Sequence, residues 1–280
     1  MQLFLLGIKV QYSHTKFWLV VLIGLVSYAN TAVATERIIS LAPHTTELLF
    51  ALGAGDNVVA VSDYSDFPLE ASELPSVASH NGVDFEQIIR LQPTLIVAWP
   101  GGNKPQDLAR LASLGFTLYY SSPESPQDID EDILLLGKVL GKSERANTLA
   151  KDYVIALESI NRQYRSKSKI KVFYYMWPTP LMTIGKNAWA SKLLSICGAE
   201  NIFDDAPTPY PEVSIEQVIR RRPQKVIAAM NSSTEDIQTY WRAKKPIFDV
   251  DIRIVSPDLL HRFTPRLTDG LKQLCAQVHR

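Results

Sequence analysis

Ser143-Glu144-Arg145-Ala146-Asn147-Thr148-Leu149-Ala150-Lys151-Asp152-Tyr153-Val154-Ile155-Ala156-Leu157-Glu158-Ser159-Ile160-Asn161-Arg162-Gln163-Tyr164-Arg165-Ser166-Lys167 contains neither glycine nor proline. Ala146, Leu149, Ala150, Tyr153, Val154, Leu157, Ile160 and Tyr164 recur in it at helical spacing, and Ser143 is a good N-cap residue. The stretch predicts one long amphipathic helix, about 35 Å at 1.5 Å per residue. A single helix splinting two halves of a chain permits less movement than a multi-strand hinge, so any cleft between the halves is expected to be largely preformed.

Outward from this helix, both flanks alternate short apolar runs with helical stretches. On the N-terminal side, strands are expected at 38–41, 58–61, 95–98 and 117–120, with helices around 46–52, 85–91 and 106–114. On the C-terminal side the runs are 172–175, 190–196, 215–220, 226–229, 237–242 and 252–255, with a final helix from about 265 to 278. Strand and helix in regular succession imply mostly parallel sheets covered on both faces. One unit occurs twice: Asp84 to Ala98 is echoed by Ser214 to Ala228, Glu86 aligning with Glu216 at an offset of 130 residues. A single echo at this offset argues for two similar α/β lobes facing each other rather than a solenoid, which needs at least three units. The expected organisation is an N-terminal lobe over 35–142, a backbone helix over 143–168 and a C-terminal lobe over 169–280.

Residues 1–34 read as a signal peptide. Lys9 and Lys16 precede the apolar run Phe17 to Val26, and Ala32-Val33-Ala34 supplies small residues for cleavage after Ala34. The run is about half of the roughly 20 residues that a spanning helix needs. The expected location is the periplasm, with no stable membrane insertion. Removing residues 1–34 takes away two of the 29 basic residues and none of the 29 acids. The near-neutral remainder gives no electrostatic reason to expect nucleic acid as a partner. Cys197 and Cys275, the only cysteines, leave open a disulfide or two buried thiols.

The sequence contains no nucleophile elbow, phosphate loop or zinc-protease motif, and Gly53-Ala54-Gly55 lacks the third glycine of a dinucleotide fingerprint. A binding protein is expected rather than an enzyme, with no resident cofactor; an exported α/β hydrolase is the alternative from another class. Ligands of parallel sheets bind beyond the carboxyl ends of the strands. There the chain places Tyr64, Trp99 in Trp99-Pro100-Gly101-Gly102-Asn103, Trp177, and the segment Asp258 to Pro265. Such rings could cover a large flat ligand at low entropic cost. His44, His80 and His261 also fall at expected cleft-facing loops, His80 in an exposed glycine-containing one.

The segments Arg37 to Pro43 with Thr46-Glu47-Leu48, Val61 to Pro68, Ala98 to Asn103 and Cys197 to Phe203 resemble the periplasmic cobalamin receptors of bacterial ABC importers. These belong to the wider helical-backbone receptors for metal chelates, the class III periplasmic binding proteins. The resemblance runs over essentially the whole mature chain. It implies two Rossmann-like lobes on one long helix, with cobalamin as the transported ligand and a permease dimer with its ATPase subunits as partner. Residue by residue, it implies that Tyr64 packs on the corrin, that Trp99 and Tyr210 are cleft rings, and that Asp258, Leu259, Leu260, His261 and Arg262 form a ligand-contacting loop. It also implies a Cys197–Cys275 disulfide, and permease docking by Glu86 and Glu216. A monomer would suffice, one receptor serving one importer. The chain departs from the pattern at His80 and Leu259, where those receptors carry tryptophans. The change opens two expectations: His80 as an axial ligand to the bound cobalt, and haem or a ferric siderophore as the alternative ligand.

Overall fold

β1 (Ile38–Ser40) lies at the middle of the first sheet, bonded in parallel to β2 (Val58–Ser62) on one side and to β5 (Leu95–Ala98) on the other. The computed structural model describes residues 36–280; the expected signal peptide, 1–34, lies outside the described residues. With β3 (Ser76–Ser79), β4 (Gly82–Val83) and β6 (Leu118–Tyr120), the sheet runs β4-β3-β2-β1-β5-β6, antiparallel only at β3–β4. The second sheet runs β10-β7-β11-β12 and is wholly parallel: β7 is Ile170–Tyr175, β10 Ala199–Asn201, β11 Lys225–Ala228 and β12 Asp251–Ile254. β8 (Trp177–Pro178) and β9 (Leu181–Met182) form a small hairpin beyond the end of β7. Two Rossmann-like lobes on one backbone helix is therefore the fold.

The backbone helix spans Ser143–Tyr164. It ends three residues short of Lys167, and Ser143 is its first helical residue; Lys142 takes the cap position without a side-chain hydrogen bond. Six of the eight expected apolar positions are fully buried, and Leu149 and Val154 pack half-buried on the same core. That core is continuous through both lobes, taking in Ile38 and Leu48 on one side and Val172, Leu193 and Leu271 on the other. The helix Ile129–Val139, absent from the sequence reading, packs closely on the backbone helix: a Cβ on Gly137 would overlap the methyl of Ala146. The final helix, Leu267–His279, packs on the backbone helix from the other lobe, and Cys275 within it is disulfide-bonded to Cys197 with Cα atoms 4.7 Å apart.

The internal echo extends to the caps. Phe85–Leu91 and Ile215–Arg221 are both seven-residue helices, opened by Asp84 and Ser214, whose side chains accept from the Gln87 and Gln217 amides. Each buries one residue completely, Ile88 or Val218, and each is followed by a left-handed residue, a proline and a strand. Each helix therefore passes into its strand through the same kind of turn, with Glu86 and Glu216 exposed in the first turns.

Candidate ligand cleft

In both sheets the strand order reverses beside the first strand of the lobe, between β1 and β5 in one and between β7 and β11 in the other. Crossovers that leave in opposite directions open a crevice at the carboxyl ends there. Trp99 directly follows β5, and Trp177 stands two residues beyond β7, so a tryptophan lies at each switch point. Asn103 fixes the first crevice by accepting from the Trp99 amide at 2.8 Å and donating to the Leu41 carbonyl at 2.8 Å.

Three of the expected site rings are openly presented: Tyr64 is 78% exposed, Trp177 53% and Tyr210 50%. Trp99 is not of this kind. Its ring meets His44 and Phe263 with centroids 5.4 and 5.6 Å apart, and a Cβ on Gly101 or Gly102 would collide with the indole. It is a half-buried wall of the cleft, continued across the lobes through Phe263 to Trp189 at 4.4 Å.

The expected loop Asp258 to Arg262 is mostly a short helix, Pro257–His261. Proline at its first position fixes a helical φ without losing a needed donor, which is why the segment folds this way after β12. Leu260 is fully buried and its carbonyl accepts from Trp189 Nε1 at 2.7 Å, so its side chain has no access to the cleft. Leu259 is half-buried with its carbonyl against Gly270. Asp258 and His261 are half-buried. His261 Nε2 lies 3.0 Å from the Tyr174 hydroxyl, and burial holds its pKa below the usual value against the opposing charge of Asp258. Burial, and then the neighbouring Tyr210, raise the Tyr174 pKa.

Arg262, only 7% exposed, ties this segment to the other lobe. Nη1 donates to Glu47 Oε1 at 2.9 Å and Asp66 Oδ1 at 2.7 Å; Nη2 donates to the Tyr64 carbonyl at 3.3 Å and Asp258 Oδ1 at 3.1 Å. Burial works against its charge, but the hydrogen bonds it donates to Asp66 and Glu47 outweigh it and hold the guanidinium pKa above its ordinary value. Removing one partner from a buried charged set of this kind costs about 3–5 kcal/mol. Tyr64, Asp258, Arg262, His261 and Tyr210 are thus brought into one chain of neighbours.

His44 was expected to face the cleft but is buried in the helix Pro43–Ala51. The Ser121 hydroxyl donates to Asp132 Oδ2 at 2.6 Å, so its oxygen accepts a hydrogen bond from His44 Nε2 at 3.1 Å. Burial, then the charge of Arg262, depress the His44 pKa to about 3. Burial raises that of Asp132 despite hydrogen bonds from Ser121 and Tyr119. The Ser121 and Asp132 partners of His44, and the roles of Glu47 and Asp66 beside Arg262, carry no local sequence signal.

His80 is exposed in the two-residue turn joining β3 to β4. Lys104, next to the Trp99 loop, donates to the adjoining Asn81 carbonyl at 2.7 Å, which holds the turn beside that loop. Among the described residues no group of three or more His, Cys, Asp or Glu side chains is disposed to hold a metal ion. A cavity of about 700 Å³ is lined by Glu47, Phe50, Asp56, Phe67, Leu74 and Arg266, among others, and by none of Tyr64, Trp177 or Tyr210.

The Periplasmic binding protein family profile matches residues 38–240, and the chain belongs to this family. It is 40% identical over 245 residues to the vitamin B12-binding protein of Vibrio cholerae serotype O1, covering 87% of this chain and 89% of that relative. The crystal structure of the periplasmic vitamin B12 binding protein of Vibrio cholerae is similar with a TM-score of 0.80 and 39% identity, over 87% of this chain and 96% of that one. A periplasmic heme-binding protein from Roseiflexus has the same fold, with a TM-score of 0.78 at 23% identity over 88% and 98% of the two chains.

Proposed function

We propose that this protein binds cobalamin, or a related corrinoid, between its lobes and delivers it to an inner-membrane ABC permease. The observation that carries the reading is the set of open rings beyond the carboxyl ends of two mostly parallel sheets: Tyr64, whose carbonyl is held by Arg262, Tyr210, beside the Tyr174 that meets His261, and Trp177, just past β7. Flat apolar surfaces with few fixed polar groups suit a large macrocycle. The 40% identity to a vitamin B12-binding protein supports the same ligand. Trp99 walls the site, His80 ligates the cobalt axially, and His261 stays neutral against Tyr174.

The protein acts in the periplasm as a monomeric receptor rather than an enzyme, after removal of a signal peptide near Ala34. Its lobes divide at 35–142 and 169–280. Glu86 and Glu216, exposed at matched positions of the repeated unit, meet basic residues on a two-fold permease, one acid per subunit. A second reading, haem or a ferric siderophore, is favoured by His80 and Leu259 in place of rings. Titration of the purified mature chain with cyanocobalamin, followed by tryptophan fluorescence and the visible corrin spectrum, separates the two. Saturation at one equivalent, undisplaced by haem or a ferric siderophore, is the expected result; preferential binding of either competitor establishes the second reading.

A further inference from the structure

Glu47 is a buried carboxylate, only 4% exposed, on the first-lobe helix Pro43–Ala51. Such a charge is tolerated inside a protein only when its oxygens are satisfied. Each of its side-chain partners comes from the second lobe: Arg262 Nη1 at 2.9 Å and Arg266 Nη1 at 3.0 Å on Oε1, and Thr264 Oγ1 at 3.0 Å on Oε2. The partners lie 215 to 219 residues away in sequence, so the site exists only where the lobes meet.

On the other side of Arg262 stands Tyr64. It is a non-glycine residue at φ 62°, a left-handed conformation that is strained for a residue with a Cβ and persists only where its surroundings enforce it. Two contacts do so. Arg262 Nη2 holds the Tyr64 carbonyl at 3.3 Å, and Thr46, beside Glu47, donates to Ser65 Oγ at 2.9 Å. The same guanidinium holds Asp258, so one cation sets a cleft group from each lobe.

We infer that Glu47 is a positioning residue: its carboxylate latches the Arg262–Arg266 segment to the first lobe and, through Arg262, holds Tyr64 in the backbone conformation that presents its ring to the cleft. The part concerning Tyr64 as a ligand contact rests on the corrinoid reading; the latch between the lobes does not.

The test uses the mature chain with spin labels at S113C and E235C, exposed positions in different lobes, and the native disulfide intact. The unsubstituted protein should give one narrow distance distribution without ligand, and Glu47→Gln should broaden or shift it. Glu47→Gln should also weaken cyanocobalamin binding about tenfold or more per folded molecule, as expected for breaking a buried charged set. If Glu47 acts through Tyr64, adding Tyr64→Ala should cost less in the Glu47→Gln background than alone. Asp66→Asn, which leaves Glu47 in place, should move the same readouts less and keeps the test open if Glu47→Gln fails to fold. An unchanged distance distribution with strictly additive affinity losses would overturn the latch and leave Glu47 a matter of stability alone. Absence of corrinoid binding by the unsubstituted protein would instead defeat the functional reading, while the distance measurement would still decide the latch.

Discussion

Gln92 and Arg222, 130 positions apart, close equivalent helices in the same left-handed conformation, with φ of 47° and 51°. Neither is glycine, the residue that adopts this conformation without a Cβ penalty. Gln92→Gly should therefore stabilise the fold by about 0.5–1 kcal/mol, the relief of strain exceeding the entropy of a freer unfolded chain. In thermal denaturation this is a rise of about 1–4 °C for a chain of this size. A lower midpoint would mean that contacts of the Gln92 side chain matter more than its backbone.

The same pair of helices marks how far the sequence could be read. Phe85–Leu91 and Leu95–Ala98 have the bounds expected from their apolar period and the proline between them. Local signals of that kind are strong because period and breaker agree. Ile129–Val139 was missed although its apolar positions are helical in spacing, and the short strands β3, β4 and β10 were missed because runs of two to four residues carry little period. The Asp258 segment read as a loop because its helix is five residues long. In the cleft, residues following strands could be found from topology alone. Glu47 and His44 could not: a Glu or His on a helix reads as solvated until Arg262 or Ser121, 215 and 77 residues away, is placed beside it.

The Cys197–Cys275 disulfide closes a loop of 78 residues and joins the final helix to the end of Trp189–Ile196. Restricting the unfolded chain over that length contributes about 4 kcal/mol. The Cys197→Ala/Cys275→Ala double variant should show a correspondingly lower stability in denaturant, and reductant should then have no further effect on it. Near-equal stability of the two proteins would assign the staple to oxidative protection instead.

His44 gives stability a pH dependence with a definite sign. Its pKa is about 3 in the fold, against an ordinary 6.5, because burial and Arg262 disfavour the cation. The unfolded chain therefore takes up a proton as pH falls below about 6.5 while the fold does not, so stability is lost toward acid until about pH 3. Between pH 7 and 5 this amounts to about 2 kcal/mol. His261, also lowered, adds in the same direction, whereas the raised Asp132 opposes it at lower pH. Measured over that range, the native protein should lose about 2 kcal/mol more than His44→Gln. Parallel pH profiles for the two proteins would show that His44 becomes protonated without unfolding.

His80 presents an exposed imidazole at the turn beside the Trp99 loop. If it replaces the exchangeable water of water-ligated cobalamin, binding should shift the visible corrin band, and His80→Ala should abolish the shift while weakening binding roughly tenfold, more than an exposed packing contact supplies. An identical bound spectrum for both proteins would leave His80 a surface residue of the turn.

Glu86 and Glu216 sit at the same position of two copies of one structural unit, each exposed in the first turn of its helix. A two-fold permease would meet them equivalently, which makes the pair informative in a way that neither acid is alone. Exposed charges at the rim of an interface act chiefly on encounter, so Glu86→Lys and Glu216→Lys should each slow association with the permease to a similar extent, and the double variant should slow it further. The difference from the native protein should shrink as salt shortens the screening length to a few ångströms near 1 M. Ligand affinity, measured on the receptor alone, should stay unchanged in all three variants because both helices lie outside the ring cluster. A strong effect at one acid with none at the other would break the symmetry on which this docking rests, and would place the permease against a single lobe.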